Sequence, residues 1–171
     1  MKVYMLGDMH FGDKELVATK RTQFADVDVH DNTIMKNILS TCSAKDTLYL
    51  LGDVVTHTSK LFLLKRLCEH IGNVYIVLGN HDCSRWPPQE GMVRVRELLA
   101  CGVTEVYGMT SYKGMWLTHA PMHPEERHGR LNIHGHLHGK FTYDDDYLNV
   151  SCEALGFTPL DITSWMQVHP T

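Results

Sequence analysis

The chain has 171 residues, of which 43% are hydrophobic and 21% charged, with 16 basic against 20 acidic side chains. That length suits one domain with a core of its own, and the composition excludes disordered and fibrous classes. A formal charge of −4 argues against a protein whose main work is gripping a polyanion, because such binding runs on Lys and Arg displacing counterions. The excess is in histidine, with twelve residues; imidazole is the commonest metal ligand and titrates near neutrality. Five scattered cysteines without a C-x-x-C pair fit a reduced, cytoplasmic chain; at least four read as small buried hydrophobes, and Cys83 stands apart because it directly follows Asp82. No apolar run approaches membrane-spanning length.

In chain order, residues 2–6 form an apolar run closing on Gly7-Asp8, the first predicted strand. A helix follows, capped by Asp28 or Asp31, with Ile34, Met35, Ile38 and Leu39 along one face. Residues 47–51 repeat the strand pattern and close on Gly52-Asp53, and residues 74–78 close on Gly79-Asn80. Helices are predicted over 59–71, stopped by Gly72, and over 91–100, stopped by Gly102. This alternation is the pattern of an α/β layer with parallel strands. The second half changes to short strand candidates at 103–107, 111–112, 115–118, 131–134, 140–143 and 147–151. Lys113-Gly114 and the Asp144-Asp145-Asp146 triplet serve as turns, and Asp161 caps a terminal helix. Without repeats or linkers, residues 1–171 read as one α/β domain: two packed sheets with helices on the outside.

Ligand-type side chains sit at five strand ends. Asp8 and His10 follow the first strand, Asp53 the second and Asn80-His81-Asp82 the third; His119, then His136 and His138, follow two strands of the second half. Strand carboxyl ends are where sites assemble in open α/β sheets. Two carboxylates, four imidazoles and an amide oxygen, with no thiolate, suit Mn, Fe or Zn and are too histidine-rich for Ca or Mg alone. The i, i+2 spacings of Asp8 with His10 and of His136 with His138 put each pair on one side of an extended backbone. The flanking Gly7, Gly52, Gly79, Gly135 and Gly139 are expected to let the backbone turn and an ion approach. Asp53 has two oxygens and can bridge two cations.

Gly7-Asp8-Met9-His10, Gly52-Asp53, Gly79-Asn80-His81-Asp82, His119 and Gly135-His136-Leu137-His138 resemble, in order, the five signature blocks of the calcineurin-like metallophosphoesterases. The opening Asp-x-His-Phe-Gly and the closing Leu148-Asn149-Val150-Ser151 are most similar to small bacterial and phage-type members. The resemblance implies a four-layer α/β/β/α sandwich of two mixed sheets flanked by helices, and a dinuclear phosphoesterase. One ion would take Asp8, His10, Asp53 and His138, and the other Asp53, Asn80, His119 and His136. Manganese stands first, with Fe, Zn or Ni as alternatives. His81 would face the substrate phosphate with its ring oriented by Asp82, while a hydroxide bridging the ions attacks in line. The implied substrate is a small nucleotide-like phosphodiester or phosphomonoester, in the cytoplasm or, for a phage protein, the host cytoplasm.

Val54-Val55 replaces the Asp-Arg pair of the Ser/Thr protein phosphatases, and Asp82 stands where those enzymes have glutamate, which argues against a phosphoprotein substrate. Asp13 occupies a position where small relatives often carry histidine, altering a contact behind the ligands or the substrate pocket. Arg85, His57 and His128 are candidate substrate contacts, and Trp86 could stack on a base. His30, His70, His123 and His169 are expected at the surface, and His134 in packing or a hydrogen bond behind the ligands. The rival reading is a catalytically inactive protein-binding scaffold of the same fold, which would have lost a ligand or His81. A stable nucleic-acid complex is not expected of an acidic chain without a basic run.

Overall fold

The first strand, Val3–Leu6 (β1), is buried along its whole length, as a strand covered on both faces must be. In the computed structural model, which describes residues 1–84, 88–140 and 144–169, β1 pairs in parallel with Thr47–Leu50 (β2). The parallel ladder continues through Asn73–Val77 (β3) to Glu105–Tyr107 (β4). Lys14–Thr19 (α1) and Val27–Thr41 (α2) connect β1 to β2, Leu61–His70 (α3) connects β2 to β3, and Pro88–Ala100 (α4) connects β3 to β4. A second sheet holds Thr110–Tyr112 (β5), Met115–Leu117 (β6), Asn132–His134 (β7) and Tyr147–Asn149 (β8) in that order, antiparallel at β5–β6 and parallel beyond. Leu160–Asp161 (β9) returns antiparallel to β1, ahead of Ile162–Val168 (α5). The architecture is the expected one, two mixed sheets with flanking helices.

Alternation along β1 divides the core. Tyr4 and Leu6 join Ile34, Ile38, Leu64 and Leu67 in a cluster under α2 and α3. Val3 and Met5 face the other way, against Leu117, Ile133, Val150 and Ile162 of the second half. The sheets meet where β1 ends. Gly7 forms an isolated parallel bridge with Ser151, its N–H donating to Val150 O at 2.8 Å and its carbonyl accepting from Cys152 N at 2.9 Å. That junction sets the start of the loop after β1 against the segment that follows β8.

Several boundaries move. The α2 cap is Asp26, whose carboxylate accepts from Val29 N, rather than Asp28 or Asp31; Asp31 is instead buried one turn inside the helix. Helix α1 was not expected; Asp13 caps it by accepting from Leu16 N. The 140–143 strand lies outside the described residues apart from Lys140, which is in neither strand nor helix. The Asp144–Asp146 turn leads into β8, and the strand it was expected to join to β8 is that same 140–143 segment; β8 itself pairs in parallel with β7. None of the described helices is long and apolar enough to cross a membrane.

Lys113 and Gly114 make the two-residue turn between β5 and β6 with φ of 47° and 83°, as a twisted hairpin requires. A Cβ at Gly114 meets nothing within 4 Å, so only backbone strain opposes one. Gly114→Ala should lower unfolding stability by about 1 kcal/mol, read as a shifted urea midpoint at unchanged slope.

Candidate metal centre

The loops following β1, β2, β3, β6 and β7 converge, and they do so in an uncommon backbone conformation. Asp8, His10, Asp53, His136 and His138 have φ of 59°, 51°, 52°, 67° and 51°, the left-handed region that costs a non-glycine residue about 1–2 kcal/mol. The flanking glycines were expected to supply this turning; of the five, only Gly52 has positive φ. Gly79 and Gly135 serve close approach instead. A Cβ on Gly79 would overlap the Asp53 carboxylate, and one on Gly135 would overlap that of Asp8.

Seven ligand-type side chains meet at two adjoining points. At the first, Asp8 Oδ1 lies 3.9 Å from His10 Nε2 and 3.9 Å from His138 Nε2. At the second, His119 Nε2 lies 3.1 Å from Asn80 Oδ1, 3.2 Å from His136 Nδ1 and 3.3 Å from Asp53 Oδ2. Asp53 Oδ2 belongs to both, being also 3.5 Å from His10 Nε2. The second oxygen of each carboxylate is tied to backbone: Asp8 Oδ2 accepts from His136 N at 2.8 Å, and Asp53 Oδ1 from His81 N at 2.7 Å.

The rings are held from behind. His119 Nδ1 is 2.9 Å from Leu51 O; a carbonyl only accepts, so Nδ1 carries a proton, and it is the neutral form of the ring that presents an Nε2 lone pair to a cation. His138 Nδ1 donates to Glu153 Oε1 at 2.9 Å. His10 Nδ1 faces Asp13 Oδ2 at 3.4 Å, the contact behind the ligands that this substitution was expected to alter. The bond from His10 holds the Asp13 pKa down at about 2. Burial would raise Glu153, yet His138 and Arg21 bring its pKa to about 2. Burial likewise opposes charge on Asp53 and His119, but their mutual attraction prevails, with pKa values of about 2 and about 9.

Asp8 Oδ1 and His10 Nε2 are buried and find no hydrogen-bond partner among the described residues. Two buried acceptors aimed at one point are costly unless a cation lies between them. The nitrogen and oxygen donors, with Asp8, His10 and His138 on one side and Asp53, His119 and His136 on the other, are close enough in each group to share an ion. The residues present therefore fit a borderline divalent metal.

His81 stands beside the first group, its Nε2 3.9 Å from Asp53 Oδ2 and its ring edge-on to His10 at 4.8 Å. Asp82 was expected to orient that ring. Its buried carboxylate accepts instead from Asp53 N, Val54 N and Gly79 N at 2.8, 3.0 and 2.8 Å, so it pins the two ligand loops together. Burial raises the Asp82 pKa against the pull of those donors.

His57 is exposed and caps the short turn Thr58–Lys60 with Nδ1, and His128 is exposed where the turn Pro124–Arg127 ends. Neither lines the cavities at the cluster. Arg85 and Trp86 lie outside the described residues. Among the remaining histidines, His70, His123 and His169 are exposed as expected. His30 is not: it is wholly buried, because its ring bonds Arg21 and Asp31. His134 is buried behind the ligands, its Nδ1 donating to Gly135 O at 2.8 Å. Sequence reasoning missed Glu153 and Arg21. Glu153 lies two positions after the Leu148–Ser151 block, with Cys152 between, a position signal that was available; Arg21 belongs to no motif. Beside His138 a cavity of about 610 Å³ opens, lined by Leu16, Lys20, Leu137 and Lys140 among others.

The family model described as "Calcineurin-like phosphoesterase" matches residues 1–163. An uncharacterized protein of Methanocaldococcus jannaschii is 25% identical, over 94% of this chain and 87% of its own. The gene 66 protein of Mycobacterium phage L5 is 32% identical over 46% of this chain and 39% of its own. In fold, the chain is similar to a protein of unknown function from Aquifex aeolicus, with TM-score 0.73, 22% identity and 98% of both chains covered. It is also similar to the phosphopantetheinyl hydrolase of Mycobacterium tuberculosis, with TM-score 0.58, 15% identity and 88% of both chains covered.

The depressed Glu153 carboxyl makes a pH prediction. Its pKa falls from an ordinary 4.5 to about 2 on folding, so it stabilises the fold fully above the ordinary value and loses that contribution as pH drops toward the folded one. Glu153→Gln should cost on the order of 2 kcal/mol at neutral pH, with the gap to the unaltered protein closing as pH falls through that window. Urea titrations of both proteins across the acid range measure it.

Proposed function

The chain belongs to the calcineurin-like phosphoesterase family, and from that premise we propose that it hydrolyses a small, nucleotide-like phosphodiester or phosphomonoester with two divalent ions. Metal-dependent phosphoester hydrolysis is the activity of the family; the ion count, the substrate and the residue roles are our reading. The observation that carries it is the position of Asp53 Oδ2, within 3.5 Å of His10 Nε2 and 3.3 Å of His119 Nε2, where one oxygen can serve both ions. Asp8, His10, Asp53 and His138 would hold one, and Asp53, Asn80, His119 and His136 the other, with manganese first among Mn, Fe, Zn and Ni.

When bound, such ions withdraw charge from phosphoryl oxygens and acidify water. The chain's own residues do the rest. His81 lines a cavity of about 330 Å³ together with His10 and His138, where it would protonate a leaving oxygen or stabilise charge on the phosphoryl group. Asp82 holds the backbone that carries His81 and Asp53 in register. The cavity beside His138 is of small-ligand size, with Leu16 and Leu137 for an apolar portion and Lys20 and Lys140 for negative charge. An inactive scaffold would be expected to lack a ligand, yet all seven ligand-type side chains and His81 are present. Five free cysteines support the cytoplasmic setting we propose.

Chelation should abolish hydrolysis of an aryl phosphodiester and Mn²⁺ should restore it. Asp53→Asn should then be the most damaging ligand change, because it weakens both sites at once; metal content per chain, compared with Asp8→Asn, is the measurement. Retention of two tightly bound ions by Asp53→Asn would remove the bridging role.

His81→Ala should keep its metal and lose turnover by about 10²–10⁴-fold. The loss should shrink for a nitrophenolate leaving group, which needs little protonation. Loss of a metal equivalent would instead move His81 into the ligand set, where its closeness to His10 and Asp53 would place it.

A further inference from the structure

A chain of buried side chains backs the first group of ligands, and the phosphoesterase reading makes no use of it. Arg21, wholly buried in the loop between α1 and α2, donates from Nη2 to Asp8 O at 2.6 Å and from Nη1 to Met9 O at 3.1 Å. Its Nε donates to Glu153 Oε1 at 2.8 Å, and the same oxygen accepts from His138 Nδ1 at 2.9 Å. Nη1 also lies 2.7 Å from His30 Nε2. A guanidinium only donates, so that nitrogen accepts, and His30 Nδ1 carries its proton toward Asp31 Oδ1 at 2.9 Å. Asp31 in turn is held by Lys60 at 3.2 Å and accepts from Gly12 N at 3.3 Å. The ring of Phe157 lies 5.3 Å from the guanidinium, and that of Phe24 stands edge-on to His30.

We propose that Arg21 is the positioning residue of the first ion site, fixing the backbone from which Asp8 and His10 project and, through Glu153, the ring of His138. Three of the four ligands assigned to that ion hang on one guanidinium. Asn80 and His119 share none of the described contacts of Arg21, and His136 touches this network only through its backbone N–H on Asp8 Oδ2. A buried arginine is costly unless every donor is engaged, so an arginine with a purely structural role would account for the burial. It would not account for the distribution of its bonds over one set of ligands. The consequence is asymmetry: disturbing Arg21 or Glu153 weakens one ion and spares the other.

The inference rests on the two-ion reading, and the experiment separates them. Mn²⁺ is titrated by calorimetry into the full chain and into Arg21→Lys, Glu153→Gln and His136→Ala, each checked for cooperative melting. Arg21→Lys keeps the charge but loses the fork. In it and in Glu153→Gln one binding event should weaken about 10–100-fold while the other stays within about threefold, the range seen when a partner behind a ligand is removed. His136→Ala should weaken the other event. Equal weakening of both events, or of neither, in folded variants overturns the proposal. Should Arg21→Lys fail to fold, Glu153→Gln decides alone, since its side chain is partly exposed. A single event in the unaltered protein would overturn the two-ion reading, and the positioning role then fails unless Glu153→Gln weakens that event.

Discussion

Two buried carboxylates, Asp8 and Asp53, each divide their oxygens between the backbone and the cluster, and the centre depends on that division. One oxygen of each accepts an amide proton from a distant loop, His136 N for Asp8 and His81 N for Asp53. The other is left facing histidine nitrogens. The amide bonds lock the loops to each other, and the free oxygens then cannot relax away from the imidazoles. Gly135 and Gly79 are the complement of this arrangement, since any side chain there would occupy the carboxylate's place.

Holding five ligand-type residues in left-handed backbone costs about 5–10 kcal/mol, which is as large as the net stability of an ordinary domain. The cost is met outside the site. Both faces of β1 are packed, with Leu6 in one cluster and Met5 in the other, each inaccessible to solvent, and the residue that follows the strand, Gly7, sits at a junction shared by both sheets. Rigid strands on either side leave the loops few alternatives. Strain of this kind persists only where the surroundings over-determine it, and here Asp82, Arg21 and Glu153 supply the extra constraints.

Much of this could be read from residue order. Strand runs closing on Gly-Asp or Gly-Asn placed Asp8, Asp53 and Asn80 at carboxyl ends of parallel strands, and the structure brings them together with His119, His136 and His138. Short-range logic failed where long-range contacts decide. Asp31 has the chemistry of a helix cap, but its carboxylate is engaged by His30 and Lys60, and Asp26 caps the helix instead. His30 looked like a surface residue because nothing local reveals that Arg21, nine positions earlier, needs an acceptor. Asp82 was paired with its neighbour His81, whereas its bonds run to Asp53 and Val54 across the fold. Glycines beside the cluster suggested turning; Gly79 and Gly135 instead provide clearance, a distinction visible only when the opposing carboxylate is in place.

The junction at Gly7 also governs when the centre can exist. The contacts that complete it join residues separated by 128 positions, for His136 with Asp8, and 132 positions, for Arg21 with Glu153. Closures of that span are slow and come late, because the intervening chain must be ordered before they give any return. On the ribosome the first members of the cluster, Asp8 and His10, would emerge long before their partners and stay unmatched until β8 and the residues after it had left the exit tunnel. Assembly of the cluster is thereby tied to synthesis of the chain through Glu153, and a chain ending before β7 would carry Asp8 and His10 without His136 and His138.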